Sequence, residues 1–275
     1  MTSFGIRVRL RKLRVSVNAR ELHARLALTR AGFEISVLAQ SKERIEQSLA
    51  DTARVLDVGG WAHPWWRADW VIDLMPYETR GLYGEPDPEP ERFTNDSWVT
   101  RDICARERWP FADDEFDYVV CSHTLEDIRD PIWACSELIR VAKAGYIEVP
   151  ARVEEQTKGV HGDWVGWSHH HWLIDIEGDH IQFVLKPHLL HGRPEFCVAR
   201  SYTDSLTAED RVSTLFWEGH FSFRERIFFV PDELHAYLAE PVQESGGEAP
   251  ANRPEAGGWH FRRLRDSIRR AVGDR

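Results

Sequence analysis

SKERIEQSLADTARVLDVGGWAHPWWRADWVIDLMPYE, residues 41–78, sets the architecture of the chain. Val55-Leu56-Asp57-Val58 is a short apolar run that ends on Gly59-Gly60. Such a run bounded by a glycine turn reads as a buried strand. Val71-Ile72-Asp73-Leu74 gives a second apolar run, again with an aspartate inside it. Short strands alternating with helical stretches make a mostly parallel sheet covered on both faces. In an open sheet of this kind, ligands bind beyond the carboxyl ends of the strands, near the point where strand order reverses. Asp57, Gly59 and Gly60 lie at one such end. Glycine lets a backbone approach a ligand closely and exposes amides at the start of a following helix. Asp73, at the next strand, is placed to accept hydrogen bonds from ribose hydroxyls. The pattern fits a dinucleotide or an adenosine-containing cofactor. The GxGxxG fingerprint of dinucleotide folds is absent: Trp61 and Pro64 stand where further glycines would be.

Outward from this stretch, the α/β alternation continues. Asn18 can cap a helix that runs to about Ala31, and Ser41 another that ends near Ala50. A Pro/Gly/Glu-rich loop covers Gly81 to Arg92, and a strand follows near 98–101. Phe116 to Cys121 is a further buried run. Residues 131–143 fit a helix, with Ile132, Cys135, Leu138, Ile139 and Ala142 on one face. Gly145 leads into a strand, Tyr146-Ile147-Glu148-Val149. Beyond Pro150 the character changes. Residues 172–186 read as a hairpin turned at Glu177-Gly178-Asp179, and 213–230 as two more strands, paired antiparallel. Four parts are expected: a basic helical extension (1–50), a main domain (51–239) with an insert or lid at about 151–212, a Pro/Gly/Glu linker (240–258), and a basic amphipathic tail helix (259–275).

Bulk composition narrows the class. With 275 residues, 42% of them hydrophobic and 29% charged, the chain is long enough to bury a substantial core. No apolar run approaches a membrane span, and no secretory signal is evident. Its four cysteines are scattered without a CxxC pair, which fits reduced thiols in a cytoplasmic protein. The net charge of −10 is uneven. Residues 1–50 carry ten Lys/Arg against four Asp/Glu, and 259–275 carry six against two, so the body between them is strongly acidic. That acidity argues against a nucleic-acid partner for the main domain.

The segment RDICARERWPFADDEFDYVVCSHTLEDIRDPIWACSELIRVAKAGYIEVP, residues 101–150, resembles class I S-adenosylmethionine-dependent methyltransferases, in particular the small-molecule group. The resemblance rests on five ordered features beside Val55–Gly60 and Asp73. They are Asp102, Trp109-Pro110-Phe111 with Phe116-Asp117, the apolar Tyr118 to Cys121, His123-Thr124-Leu125-Glu126-Asp127, and Glu137 to Gly145. It implies a Rossmann-like sheet of seven mostly parallel strands with an antiparallel C-terminal strand, together with the inserted hairpin and the N-terminal helical extension. It also implies S-adenosylmethionine as cofactor. It carries Asp57, Gly59 and Gly60 to the first glycine loop near the methionine part, Asp73 to the ribose, Asp102 and Ile103 to the adenine, and Ser122 and His123 to the vicinity of the sulfonium. Two departures stand out. Trp61 and His63 occupy later glycine positions, and Leu125-Glu126-Asp127-Ile128 replaces an LEHV pattern.

The chemistry implied is displacement at a methyl carbon, in which alignment of the nucleophile does most of the work. A general base is needed only for a weakly acidic hydroxyl or a protonated amine. His123 is one candidate. A second comes from HGDWVGWSHHHWLIDI, residues 161–176, where an acceptor lid is expected. Its histidines and tryptophans fit either a packed loop or a ring-lined acceptor pocket with His169 as base. If the segment is a strand, His169 and His171 share a face and His170 does not. A divalent ion held with Asp163 or His161 is a further reading, but no metal is assigned. The acceptor expected is a small molecule, a sugar or secondary metabolite methylated on oxygen; a non-catalytic binding or scaffold protein on the same fold is the alternative. The tail from Trp259, with Phe261, Leu264, Ile268 and Val272 beside five arginines, reads as a helix docked on the acidic body or as a weak peripheral contact with an anionic membrane.

Overall fold

A computed structural model of the chain describes residues 37–81 and 89–247. The extension before Val37 and the tail helix expected from Trp259 lie outside the described residues. No described helix is long and apolar enough to cross a membrane. The chain divides into two compact units. The first comprises residues up to Thr124, Trp133–Glu148 and Phe216–His220; the second comprises Leu125–Ile132, Val149–Leu215 and the residues from Phe221.

Helix α1 (Ala39–Ser48) precedes strands β1 (Val55–Val58), β2 (Trp70–Asp73), β3 (Trp98–Thr100) and β4 (Tyr118–Ser122). Helix α2 (Pro131–Val141) then leads to β5 (Ala144–Pro150). Strand β1 pairs in parallel with both β2 and β4, β2 with β3, and β4 with β5. With β8 (Val212–Glu218), these strands form a sheet in the order β3-β2-β1-β4-β5-β8. Chain order reverses between β1 and β4, so the carboxyl ends of these two strands mark the switch point. All four residues of β1 are buried, which explains its unbroken apolar reading. Its core neighbours include Ile45, Trp65, Ala68, Val71, Tyr118, Val120 and Tyr146.

The connection from β1 to β2 is a loop, as its sequence reads. Residues 59–69 contain no helix. A helix running back along a four-residue strand of ~13 Å would need ~9 residues, leaving too few of the connection for its two turns. Pro64 further disfavours a helical interior. Gly59-Gly60 therefore does not open a helix N-terminus. The tryptophans instead close the turn: Trp65 is buried in the core, and Trp61 Nε1 donates to the Thr79 carbonyl at 2.7 Å.

The segment before β4 is clasped to α2. Arg140 Nε and Nη2 donate to Glu137 at 2.8 and 2.6 Å, and Arg140 Nη1 donates to the Phe111 carbonyl at 2.8 Å. Glu137 also accepts the Trp109 amide at 2.7 Å. Arg140 thus ties two carbonyls and a carboxylate with its planar fork.

In the second unit, a helical turn α3 (Arg152–Glu155) precedes β6 (Trp172–Glu177) and β7 (His180–Leu185). These two strands form the expected antiparallel hairpin, closing on the pair Glu177–His180. Gly178, with φ +61°, supplies the left-handed residue of its turn. The expectation for 213–230 is corrected. Strand β8 joins the main sheet, whereas β9 (Ser222–Glu225) pairs in parallel with β7 in a three-stranded sheet β6-β7-β9. Among the described residues the main sheet thus has six strands rather than seven, and the chain leaves it after β8 through Gly219 at φ +69°. Helix α4 (Pro231–Glu244) extends into the segment expected as linker, with Pro241 inside it. Its Tyr237, Leu238 and Ala239 pack in a second core with Leu173, Val184, Leu190 and Phe196.

Candidate functional site

At the switch point, the two aspartates of the opening stretch are occupied by backbone. Asp57 Oδ2 accepts the Trp65 amide at 2.9 Å. Asp73 accepts Trp61 N on Oδ2 at 3.1 Å and Met75 N on Oδ1 at 2.7 Å. Each carboxylate oxygen has further acceptor capacity, so Asp73 can still take ribose hydroxyls. Burial pushes Asp57 up to about 7, assisted by the nearby Asp73 charge, while the Trp65 amide opposes the rise. Burial also raises Asp73, against the amides of Met75, Trp61 and Leu74.

The glycines are required by internal packing. Gly59 has φ +78°, and a Cβ there would lie 2.1 Å from Thr124 Oγ1. A Cβ on Gly60 would meet Asp57 Oδ2 at 2.2 Å. The space before the turn is thus filled from inside by Thr124 and Asp57. After β3, Asp102 Oδ1 accepts the Cys104 amide at 2.8 Å, a local turn that leaves Asp102 half-buried. Ile103 is buried, and its carbonyl accepts Trp109 Nε1 at 3.2 Å.

Beyond β4, a group that the sequence did not single out organises the end of the strand. Glu148, fully buried on β5, accepts Ser122 Oγ at 3.2 Å and the Leu38 amide at 3.0 Å, and it is bonded to the Tyr146 hydroxyl. His123 Nε2 lies 3.1 Å from Glu148 Oε1. His123 also has φ +49°, an uncommon conformation for a residue with a side chain. Its amide donates to the Glu148 carbonyl at 2.9 Å, which holds it there. Despite its desolvation, Glu148 is held below the usual carboxylate range by His123, Tyr146 and the Leu38 amide. The signal for it was legible: a glutamate inside the apolar run Tyr146–Val149 must be paired if it is buried.

His169 lies in the second unit, in a turn rather than a strand, since β6 begins at Trp172. The alternation expected for the three histidines therefore fails. His169 and His170 converge on Asp127, with Nε2–Oδ2 at 3.9 Å and Nε2–Oδ1 at 3.6 Å. His171 is placed differently: its amide donates to the Glu126 carbonyl. Burial, then the neighbouring His170 and His161, lower His169 to about 4. A neutral imidazole that basic only in acid is a poor proton acceptor near neutrality. His170, by contrast, is raised by Glu155 in spite of its burial.

Residues 90–147 match a family model described as a methyltransferase domain. The matched stretch contains Asp102, the clasp of Glu137 and Arg140, β4 with His123, and most of β5. Similar solved structures include a methyltransferase in complex with the Trm112 methyltransferase activator from Haloferax volcanii, at 19% identity over 40% of this chain and 51% of that one, with a TM-score of 0.30. The S-adenosylmethionine-dependent methyltransferase of Mesorhizobium loti is 14% identical over 55% of this chain and 66% of its own, with a TM-score of 0.31. That of Aquifex aeolicus is 18% identical over 49% and 77%, with a TM-score of 0.33. The chain spans about half the length of the Haloferax chain and 66% of the Mesorhizobium one. No curated protein matches the sequence.

The cofactor that a methyltransferase domain of this class implies is S-adenosylmethionine. The donor set fits its nucleoside half: Asp73 at the end of β2 suits the ribose, and Asp102, half-buried after β3, suits the adenine amine. At the methionine half, the glycine turn has no helix behind it and commits the Trp61 and Trp65 amides to Asp73 and Asp57.

Proposed function

We propose that the protein transfers a methyl group from S-adenosylmethionine to a small molecule, on oxygen, with a sugar or secondary metabolite as the acceptor class. The observation that carries this reading is the methyltransferase-domain stretch, 90–147, following a β1 glycine turn and an acidic β2 end at the switch point of a parallel sheet. Asp73 holds the ribose, Asp102 and the Ile103 backbone receive the adenine, and Gly59 and Gly60 shape the turn beside the methionine part. The cofactor supplies an activated methyl group. The protein's part is to align the acceptor and to take its proton where needed. Of the two histidines proposed from the sequence, His123 is favoured as base, because Glu148 fixes its ring and compensates a positive charge on it. Ser122, bonded to the same carboxylate, helps to hold that arrangement.

A second reading, a non-catalytic binder of the cofactor, is favoured by one observation: the connection 59–69 has no helix and its Trp61 and Trp65 amides are already committed. Calorimetry with S-adenosylmethionine and its demethylated product, followed by transfer of labelled methyl to a panel of hydroxylated metabolites, separates the two. Micromolar binding, about −8 kcal/mol, with turnover supports the enzyme. Binding without turnover of any acceptor selects the binder, and no binding of either compound overturns both.

A further inference from the structure

The turn that carries the three histidines brings together residues far apart in sequence. Asp127 comes from the stretch after β4, and His169 and His170 from the turn before β6. One ligand atom from each lies within 4.8 Å of the other two. The two rings stand nearly edge to face, with centroids 4.6 Å apart at 79°. In a four-coordinate site with bonds of ~2.0–2.1 Å, neighbouring ligand atoms are ~3.4 Å apart. His170 Nε2 lies 3.6 Å from Asp127 Oδ1 and His169 Nε2 lies 3.9 Å from Asp127 Oδ2, so the two rings face the two oxygens of one carboxylate at close to that spacing.

An independent feature lies behind His170. Its other ring nitrogen, Nδ1, is 2.5 Å from Glu155 Oε1. Glu155 is buried, and its second oxygen accepts Lys186 Nζ at 2.7 Å. A carboxylate on Nδ1 fixes the imidazole with Nε2 directed to the opposite side, here toward Asp127. This is the arrangement that orients a metal-bound histidine and raises its donor strength. The Trp167 ring stacks on His170 at 5.8 Å and further restrains it. The His170 side chain is only 7% exposed, whereas Asp127 is half-buried and His169 exposed, so an ion could enter and keep positions for water or an oxygen ligand.

We infer that Asp127, His169 and His170 form a binding site for a first-row divalent metal ion, with zinc the ion best suited to two imidazoles and one carboxylate, and Glu155 as its outer support. The donor chemistry selects this class: imidazole nitrogen with a single carboxylate suits zinc, cobalt or nickel, whereas calcium and magnesium require oxygen sets. The site does not depend on the methyl-transfer reading, since all its residues belong to the second unit.

The test uses the full chain, stripped with chelator and titrated with zinc by calorimetry, and with cobalt by visible absorption. Expected is one zinc per chain, with cobalt giving the d–d bands of an ion bound by nitrogen. His169→Ala, at a partly exposed position, should abolish the cobalt bands and lower zinc affinity at least 100-fold, with its thermal unfolding close to that of the parent. Asp127→Asn should do the same. Glu155→Gln should weaken zinc binding 10–100-fold without removing it. His171→Ala, three ligands intact, should bind as the parent does. Absence of zinc binding by the parent chain, or binding that survives His169→Ala and Asp127→Asn unchanged, would overturn the assignment and leave Asp127, His170 and Glu155 as a metal-free ion-pair network.

Discussion

Replacing Asp57 by Asn isolates the cost of a buried carboxyl. Asparagine keeps an oxygen to accept the Trp65 amide and cannot ionise, so packing changes little. In the fold, the Asp57 carboxyl ionises at about 7, against 3.8 in the unfolded chain. Its folded value is raised, so its contribution to stability is fully present below pH 3.8 and is lost as pH rises through about 7. At ~1.4 kcal/mol per pH unit, the whole span is worth about 4 kcal/mol. Between pH 5 and pH 8, the accessible part is about 2–3 kcal/mol. Asp57→Asn should therefore gain on the parent by that amount over this range, or about 5–10 °C in melting temperature for a chain of this size. Urea unfolding followed by tryptophan fluorescence, at pH 5 and pH 8 for both proteins, measures the difference directly. Titrations of groups that do not sense the Asp57 charge cancel in it; the coupling to Asp73 remains part of the measured difference. A difference that stays constant across the range within about 0.5 kcal/mol would refute the buried, protonatable Asp57 described above.

Arg140→Ala should lower stability by about 3 kcal/mol, because it leaves the buried Glu137 carboxylate without its partner; denaturant unfolding at neutral pH measures the loss. Gly59→Ala should be among the most damaging small substitutions, since φ +78° and the Thr124 side chain both exclude a Cβ; a melting temperature unchanged within 2 °C would contradict the turn geometry. Asp73→Ala should weaken S-adenosylmethionine binding by about 1–3 kcal/mol in calorimetry, through loss of a charged acceptor for the ribose hydroxyls. His123→Ala should lower turnover about 10²–10⁴-fold and leave cofactor affinity nearly intact, which a steady-state assay beside calorimetry resolves.

The parts of the fold that rest on local patterns were legible. The buried run of β1, the apolar stripe of α2 and the glycine at Gly178 each state their element within a few residues. Pairings that join distant segments were not. Nothing in Ser222–Glu225 says that it lies beside His180–Phe183 in parallel, because periodicity fixes a strand's faces but not its neighbour. The loop between Gly60 and Trp70 was readable from chain length, since the connection is too short for a helix and its two turns. At the candidate site, the aspartates stood out as carboxylates at strand ends, yet their backbone partners Trp61 and Trp65 were not legible, because loop backbone hydrogen bonds leave no periodicity in the sequence. Strand alternation says nothing about the histidine turn, because β6 begins only at Trp172. Asp127 was then invisible as a companion of His169 and His170, being about forty residues away in sequence.

The clasp of Trp109, Phe111, Glu137 and Arg140 has an evolutionary consequence. These residues lie in the stretch that matches the methyltransferase-domain model, and what they do here is hold a loop to a helix. A duplicated gene freed from its original acceptor could rewrite its glycine turn and everything beyond Pro150, and selection for a folded chain alone would still preserve the clasp. Ancestry would stay written in the segment that keeps the chain together, while the record of chemistry eroded elsewhere. A lineage of such copies would diverge fastest at Trp61 and His63 and around the histidine turn, and slowest at Arg140.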